Sequence, residues 1–421
     1  MSMSHALSVA AHTLGCKVNQ CDTEALLSQL KNMGFVVRNF NEMADIYIIN
    51  TCTVTHVSDR KSRQMIRRAR RMNPTAFVAV CGCMVENKPD DVADVDFIFD
   101  ARKPDDFFEF LTPMTHTTNH GYDSKPDIKH KLRTRAFIKI QDGCNRFCSY
   151  CIVPYVRGAL QSRPVTDILD EAAKLVKLGG MEIVLTGIQV ASYGDDTGDA
   201  NLASLIRQIA KLDGLKRLRL SSIDPWAVDE DFLDAVATAD ILCDHFHLSL
   251  QSGCDTTLAR MNRRYTIAQY RLAAAALRNL RPNCAMTTDI IVGFPGETDA
   301  DFLESYAFVH EIGFAQVHVF EFSPREGTPA AGFDGQVPQK VKNARGLAMR
   351  ELAAHMRKHF LEAQVGKMLP VLFETKTNGH STNYCPVEVF CNTCNDELTN
   401  TIQNVEIIAC TASALTGRIT N

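Results

Sequence analysis

Three thiols fall within eight residues, Cys144-Asn145-Arg146-Phe147-Cys148-Ser149-Tyr150-Cys151, spaced C-x3-C-x2-C after Gly143. Thiolates are soft ligands suited to zinc or to iron–sulfur clusters, and a [4Fe–4S] cube normally takes four of them. Three close thiols can hold three irons and leave the fourth open to a small molecule. Structural zinc more often uses two separated pairs, and no second close pair follows at zinc-ribbon spacing. The first expectation is therefore an iron–sulfur cluster with one open iron, with zinc as the alternative.

A second set of thiols is dispersed. Cys16 in HTLGCKVNQ, Cys52 in NTCTVT and Cys83 in CGCMVEN each follow a short apolar run with strand character. In a parallel sheet, the loops after adjacent strands converge on one crevice. Thiols far apart in the chain would then meet and hold a second cluster. The competing explanation is that each is a small buried hydrophobe. Cys81 also contends for the third position, and Cys83 is preferred because Cys81 still belongs to the strand.

The elements that must position these residues can be read from the apolar pattern. Ala6–Ala11, Ile46–Asn50, Phe77–Cys81 and Phe97–Phe99 read as buried strands, with helices over Asn19–Met33 and Val57–Met72. That alternation predicts a parallel sheet covered by helices. Residues 112–131 are polar and aperiodic, so a linker is expected at 116–131 between units 1–115 and 132–362. The second unit offers strands at Arg135–Ile140, Glu182–Thr186, Arg217–Ser221, His245–Leu250, Thr287–Val292 and Gln316–Phe322. Helices are expected between them at Thr166–Leu178, Asp229–Ala239, Thr266–Leu280 and Asp299–Ile312. This count fits a partial (βα)6 barrel, and the triple-cysteine loop would follow its first strand at the end where such barrels build active sites. A helical stretch, Pro338–Gln364, leads to a small all-β module over 363–421, with strands at Leu369–Glu374, Pro386–Phe390 and Val405–Ala409.

Composition narrows the setting. The chain has 421 residues, 15 cysteines and a formal charge of −4. Hydrophobic residues at 45% and charged residues at 22% exclude a disordered chain. No apolar run approaches the roughly 20 residues of a membrane span, and MSMSHALSVAAH lacks the pattern of a secretory leader. A cytoplasmic protein is expected, whose thiols serve metal or catalysis rather than disulfides.

The motifs TLGCKVNQ, NTCTVT, GCNRFCSYCIVPYVRG, HLSLQSG, DIIVGFPGET and FSPREGT together resemble the radical S-adenosylmethionine (SAM) methylthiotransferases, almost end to end. The resemblance implies an N-terminal three-cysteine domain, a radical-SAM barrel and a C-terminal TRAM barrel associated with RNA. It further implies two [4Fe–4S] clusters, one on Cys144, Cys148 and Cys151 that generates a radical from SAM, the other on Cys16, Cys52 and Cys83 that presents sulfur. The implied reaction replaces the C2 hydrogen of a tRNA adenine next to the anticodon with a methylthio group. TLGCKVNQ followed by Asp22-Thr23-Glu24, and the stretch Ser221–Pro225, look most like the subgroup acting on threonylcarbamoyladenosine-37. The alternatives are the same chemistry on isopentenyladenosine-37 or on a ribosomal protein, and outside catalysis a zinc-dependent RNA-binding module. Implied partners are the tRNA anticodon stem-loop, an electron donor such as a flavodoxin or ferredoxin, and a sulfur donor.

Within that frame Gly187, Ser222, Gln251 and Arg263 are candidates to hold SAM, each ending or closely following a barrel strand. Their competing reading is as ordinary loop residues, and Glu297 after GFPG competes as a helix-capping carboxylate. Arg60, Lys61, Arg63, Arg67, Arg68, Arg70 and Arg71 place seven cations in twelve residues of one helix directly after Cys52. Met65, Ile66, Ala69 and Met72 form its apolar stripe. Such a face suits an RNA phosphate backbone, with Arg60, Arg63, Arg67 and Arg71 as the leading contacts, although charge runs are often only solvated faces. Tyr384 is a candidate to stack on a base or to fill a small core. Cys385, Cys391 and Cys394 form a further local set, a weak pattern for metal with His380 nearby.

Overall fold

Val9, Ala10, Ile46, Ile48, Val78 and Val80 are almost fully buried, and their alternation splits them between two apolar layers, one on each face of a parallel sheet. In the computed structural model, which describes residues 6–87, 92, 94–115, 134–390 and 398–420, that sheet comprises β1 (Ser8–Thr13), β2 (Val36–Arg38), β3 (Ile46–Thr51), β4 (Phe77–Gly82) and β5 (Phe97–Ile98). The strand order is β2-β1-β3-β4-β5, all parallel. The strands carrying Cys16, Cys52 and Cys83 at their carboxyl ends are thus three consecutive neighbours. Around the sheet pack α1 (Lys17–Asn32), α2 (His56–Met72), α3 (Cys83–Asn87) and α4 (Asp105–Thr115). The helix α4 takes in residues 112–115 of the polar stretch; the expected linker 116–131 lies outside the described residues. The sequence missed β2, a three-residue edge strand too short and too exposed to show a period.

The second unit holds β6 (Arg135–Asp142), β7 (Gln161–Ser162), β8 (Glu182–Gly187), β9 (Arg217–Leu220), β10 (Ser222–Ile223), β11 (His245–Leu248), β12 (Ala285–Val292) and β13 (Gln316–Glu321). They form two sheets, β7-β6-β8-β9 and β10-β11-β12-β13. Six of these strands match the expected ones; β7 and β10 are two-residue additions. The helices are α5 (Val153–Arg157), α6 (Val165–Lys177), α7 (Leu202–Ile209), α8 (Glu230–Thr238), α9 (Asp255–Arg260), α10 (Ile267–Leu280), α11 (Asp299–Ile312) and α12 (Gln339–Glu362). Asn201, Thr266 and Thr298 start α7, α10 and α11 with reciprocal capping boxes, each worth about 1 kcal/mol.

Alternation sends Ile138, Ile140, Ile183, Leu185, Leu218 and Leu220 into the helix-facing core. The opposite face of β6 carries Phe137 and Lys139, and α1 covers it. Lys139 Nζ pairs with Asp22 of α1 and lies 3.1 Å from Asp142, while Lys17 Nζ sits 5.9 Å from the Phe137 ring. The N-terminal unit is therefore bound to the barrel's inner wall.

The last unit is a closed antiparallel-rich barrel of β14 (Met368–Phe373), β15 (Asn378–Ser381), β16 (Pro386–Val389), β17 (Ile402–Cys410) and β18 (Leu415–Ile419), in the order β14-β15-β16-β18-β17. It docks against residues at the start of the second unit's strands. Arg217 donates to the carbonyls of His380 (2.9 Å) and Pro370 (2.7 Å), and Arg219 to that of Thr382 (3.1 Å). Buried Glu182 holds Arg219 Nε at 2.7 Å. Tyr384 is committed to this interface: its ring stacks on His380 at 4.9 Å and lies under the guanidiniums of Arg219 (4.6 Å) and Arg135 (5.0 Å). Its surroundings are the core-filling alternative rather than an open base-stacking platform. Cys385 is buried in this module's core beside Val371 and Phe373, whereas Cys391 and Cys394 lie outside the described residues. No described helix is long and apolar enough to cross a membrane.

Candidate active site

The loop after β6 is shaped by its own backbone. Gly143 has φ +68°, and a Cβ there would collide with the Ala159 carbonyl, so this turn requires glycine. Cys144 N donates to Gly158 O at 3.1 Å and Cys151 N to Cys148 O at 2.9 Å. The segment 259–265 clamps the outside: Ser149 N donates to Met261 O (3.0 Å), Ser149 Oγ to Arg260 O (2.7 Å), and Asn262 Nδ2 to Phe147 O (2.9 Å).

Cys144, Cys148 and Cys151 are free thiols that influence one another electrostatically. Burial raises the Cys144 thiol and pushes Cys151 up to about 12. Three thiols crowded in a poorly hydrated loop resist ionisation until a cation joins them. Two N–H donors already point at sulfur: Arg146 N reaches Cys144 Sγ and Arg263 Nη1 reaches Cys148 Sγ, each at 3.4 Å. This donor set, soft sulfur with hydrogen bonds from outside, fits an iron–sulfur cluster.

Across from it lies the dispersed set. Cys16 caps α1, Cys52 follows β3, and Cys83 opens α3. Gly15, at φ +101°, lets the first loop approach the second: its Cβ would stand 3.2 Å from Cys52 Sγ. Asn19 Nδ2 ties the two by donating to Leu14 O (3.0 Å) and Thr51 O (3.0 Å). Cys52 and Cys83 are both raised by burial, Cys83 to about 11, and both feel Cys16. Cys81 is fully buried in β4 within the apolar core, where its thiol is driven far upward by burial. Cys83, by contrast, packs beside Ile152 and Val156, the residues that follow Cys151.

One side chain spans the two sets. Arg157, at the end of α5 and only 3% exposed at its side chain, donates through Nη1 to both Asp142 oxygens at 2.9 Å. Its Nη2 reaches Asn19 Oδ1 at 2.7 Å and Asp22 Oδ2 at 3.3 Å, and its Nε reaches Cys83 Sγ at 3.4 Å. Sequence reasoning missed it. The available signal was an arginine embedded in the apolar run IVPYVRG beside the cysteines. A second tie comes from Arg325 of FSPREGT, which binds Asp59 at 2.7 Å and Thr53 beside Cys52.

A cavity of about 220 Å³ opens between these parts. Val54 and Thr55 line it from the Cys52 loop, Cys151 and Ile152 from the barrel loop, and Gln251, Asp289 and Phe320 from the barrel wall. Of the SAM candidates, Gln251 (φ +67°) faces this cavity. Arg263 touches Cys148 and is paired with Asp224. Gly187 packs against Gln141, whose amide holds the Gly143 carbonyl at 2.5 Å, and Ser222 is an exposed residue opening β10. Glu297 is structural, accepting from Gly293 N (2.6 Å) and Arg345 (2.7 Å).

On α2, Ile66 and Ala69 are buried and Met65 and Met72 half-buried, so the cations face outward. Arg60, Arg63, Arg67 and Arg71 line one open groove with Gln64, Arg70 and Asp94. Arg70 is spent on Asp96 (2.7 Å) and Arg68 on Asn41 (2.7 Å), whereas the other four arginines have no ion-pair partner among the described residues.

Residues 138–309 match the radical SAM superfamily, and residues 8–101 match the uncharacterized protein family UPF0004. The chain is 39% identical over 382 residues to a threonylcarbamoyladenosine tRNA methylthiotransferase, MtaB, of Bacillus subtilis (strain 168), covering 87% of this chain and 85% of that protein. It is 35% identical over 431 residues to a tRNA-2-methylthio-N(6)-dimethylallyladenosine synthase of Alkaliphilus oremlandii (strain OhILAs), covering 97% and 91%. Among solved structures, the radical S-adenosylmethionine methyltransferase TsrM from Kitasatospora setae superposes with a TM-score of 0.54 at 16% identity, covering 77% of this chain and 75% of that one. That likeness concerns the fold.

Proposed function

The chain belongs to the radical-SAM tRNA methylthiotransferases, and from that premise we propose that it acts on N6-threonylcarbamoyladenosine-37, converting it to the 2-methylthio derivative. The observation that carries the reading is the cavity walled by both thiol-bearing loops. Cys151 of the barrel loop lines this small space, and Val54 and Thr55 of the loop that follows Cys52 close it from the N-terminal unit. Identity to the Bacillus subtilis protein above that to the Alkaliphilus oremlandii protein supports the threonylcarbamoyl form over the dimethylallyl form.

Cys144, Cys148 and Cys151 would hold one [4Fe–4S] cluster and Cys16, Cys52 and Cys83 the other, with Gln251, which lines the cavity, Arg263, which touches Cys148, Gly187 and Ser222 as the candidate SAM contacts. When bound, these groups supply the electron, the radical, the sulfur and the methyl group that an unactivated aromatic C–H demands. The protein's part is position. An adenine C2–H is not acidic, so a general base would achieve little there. The Phe320 and Ile291 side chains give the cavity an apolar wall suited to a flat base. Arg157 fixes the distance between the two loops because its guanidinium is bonded to both units at once. Arg60, Arg63, Arg67 and Arg71 would grip the anticodon stem-loop phosphates beside the Cys52 loop. An external electron donor such as a flavodoxin or ferredoxin and a sulfur donor complete the reading, as does a division into units 1–115, 132–362 and 363–421.

Nucleoside mass spectrometry of tRNA from a deletion strain tests the substrate. Loss of 2-methylthio-threonylcarbamoyladenosine is expected. Its survival, with 2-methylthio-isopentenyladenosine missing instead, would overturn the assignment.

A further inference from the structure

The inner wall of the second sheet carries a polar group that neither cluster uses. On β11, β12 and β13 the residues Phe246, Leu248, Met286, Ile290, Val292 and Val317 point into the helix-side core. Alternation sends His247, Asp289 and His318 the other way. Parallel register sets Asp289 directly opposite His318 and His247 opposite Thr287. Ligating atoms of the three side chains all lie within 4.8 Å of one another. The imidazoles of His247 and His318 stack at 6.1 Å and 30°. Thr287 Oγ1 occupies His247 Nδ1 at 3.0 Å, whereas Nε2, 3.3 Å from Asp289 Oδ2, is buried and makes no hydrogen bond among the described residues. A buried polar atom left open in this way is costly unless something arrives to meet it.

Asp289 belongs to both places. It is the member of the trio that lines the cavity, sharing the polar part of the lining with Gln251, Glu321, Ser323 and Arg325, while His247 and His318 stand beside it on the same face of the sheet. We propose that His247, Asp289 and His318 form the pocket that recognises the polar N6 substituent of the adenine, and so select a threonylcarbamoyl group over an apolar one. This rests on the tRNA methylthiotransferase function proposed above. On adenine, C2 and C6 flank N1, so a base with C2 presented to the thiol loops sends its N6 substituent off to one side. A threonylcarbamoyl group brings urea N–H and hydroxyl donors for the Asp289 carboxylate. It also brings a carboxylate that accepts from imidazole N–H, in a neighbourhood where Arg357 adds positive potential at His318. A dimethylallyl group offers none of these and would leave the trio unpaired. Sites built to hydrogen-bond a substrate reject analogues lacking the partner far more strongly than apolar pockets reject extra atoms, and here the half-buried His247 and Asp289 supply that discrimination with the exposed His318 at their edge.

Full-length enzyme, reconstituted anaerobically, is assayed on anticodon stem-loops carrying either threonylcarbamoyladenosine or isopentenyladenosine. Wild type is expected to prefer the first. His318→Phe and His247→Leu are expected to lower kcat/KM for threonylcarbamoyladenosine about 10- to 100-fold, mainly through KM. The isopentenyl substrate should hold or improve, and iron content should not change. His318→Gln, which keeps a donor, should retain most of the preference and guards against a folding artefact. An unchanged ratio between the two substrates in the variants, with wild type preferring threonylcarbamoyladenosine, overturns this inference alone. A wild-type preference for isopentenyladenosine overturns the substrate assignment as well. If wild type binds one equivalent of Ni(II), which imidazole ligands suit, and the variants lose it along with activity on both substrates, the trio is a metal site and the inference fails.

Discussion

The two thiol sets solve the same problem in opposite ways. Cys144, Cys148 and Cys151 come from one loop, pinned locally to Gly158 and from across the barrel by the segment around Met261. Cys16, Cys52 and Cys83 come from three strand ends and meet only because β1, β3 and β4 are neighbours in one parallel sheet. The first set lies within one segment of chain. The second exists only in the folded N-terminal sheet, and buried Arg157, together with Arg325 and Lys139, holds it against the first. That contrast fits the division of labour proposed above, in which the single loop serves the step common to the superfamily and the added domain the step particular to this family.

Removing each triad in turn should break the contrast most sharply. Cys144→Ala, Cys148→Ala and Cys151→Ala together should abolish 5′-deoxyadenosine formation from SAM. Cys16→Ala, Cys52→Ala and Cys83→Ala together should leave that formation measurable while abolishing methylthiolation, as read by chromatography and nucleoside mass spectrometry. Loss of both activities in both variants would remove the distinction.

Next in size is the bridge. Arg157→Ala leaves the buried Asp142 and Asp22 carboxylates with Lys139 as their one remaining shared cation, and removing one partner of a buried ion pair typically costs about 3–5 kcal/mol, here lowered by that lysine. Chemical denaturation should show that loss, and Arg157→Lys should recover only part of it because a single ammonium cannot span four partners. A loss below about 0.5 kcal/mol would mean the two units are held by other contacts.

The groove on α2 gives a smaller, purely electrostatic effect. Replacing Arg60, Arg63, Arg67 and Arg71 by Gln should weaken stem-loop binding and flatten its dependence on salt, by about one unit of logarithmic slope per lost phosphate contact. SAM cleavage without RNA should not move. An unaltered slope would return the helix to a solvated face.

The smallest effect concerns acid. Burial would raise the Glu182 carboxyl, but Arg219 and Arg217 outweigh it and hold it below the ordinary range. Its contribution is present above the unfolded value, near about 4.3, and is lost as pH falls through the lower folded value. Docking of the C-terminal barrel on Arg217 and Arg219 should therefore weaken only in that acid window. A Glu182→Gln variant should lose this pH dependence in a thermal-melt series.

Much of this was legible in the residues. The C-x3-C-x2-C loop and the six long barrel strands announce themselves because motif and period are local. The convergence of Cys16, Cys52 and Cys83 followed from one topological rule, that loops after adjacent parallel strands share a crevice. What escaped has a common cause. Arg157, Arg325 and the His247–Asp289–His318 wall act through partners dozens to hundreds of positions away, and no period or spacing records such pairings. Tyr384 was open in the same way, since its ring reads equally as a base platform or a core filler until Arg135 and Arg219 are seen across it.

Iron and sulfide analysis of the anaerobically reconstituted chain tests the central claim most directly. About eight irons per wild-type chain and about four in each of the two triple-alanine variants are expected. An iron content unchanged in either variant, or lost entirely from one of them, would contradict two independent thiol-held clusters.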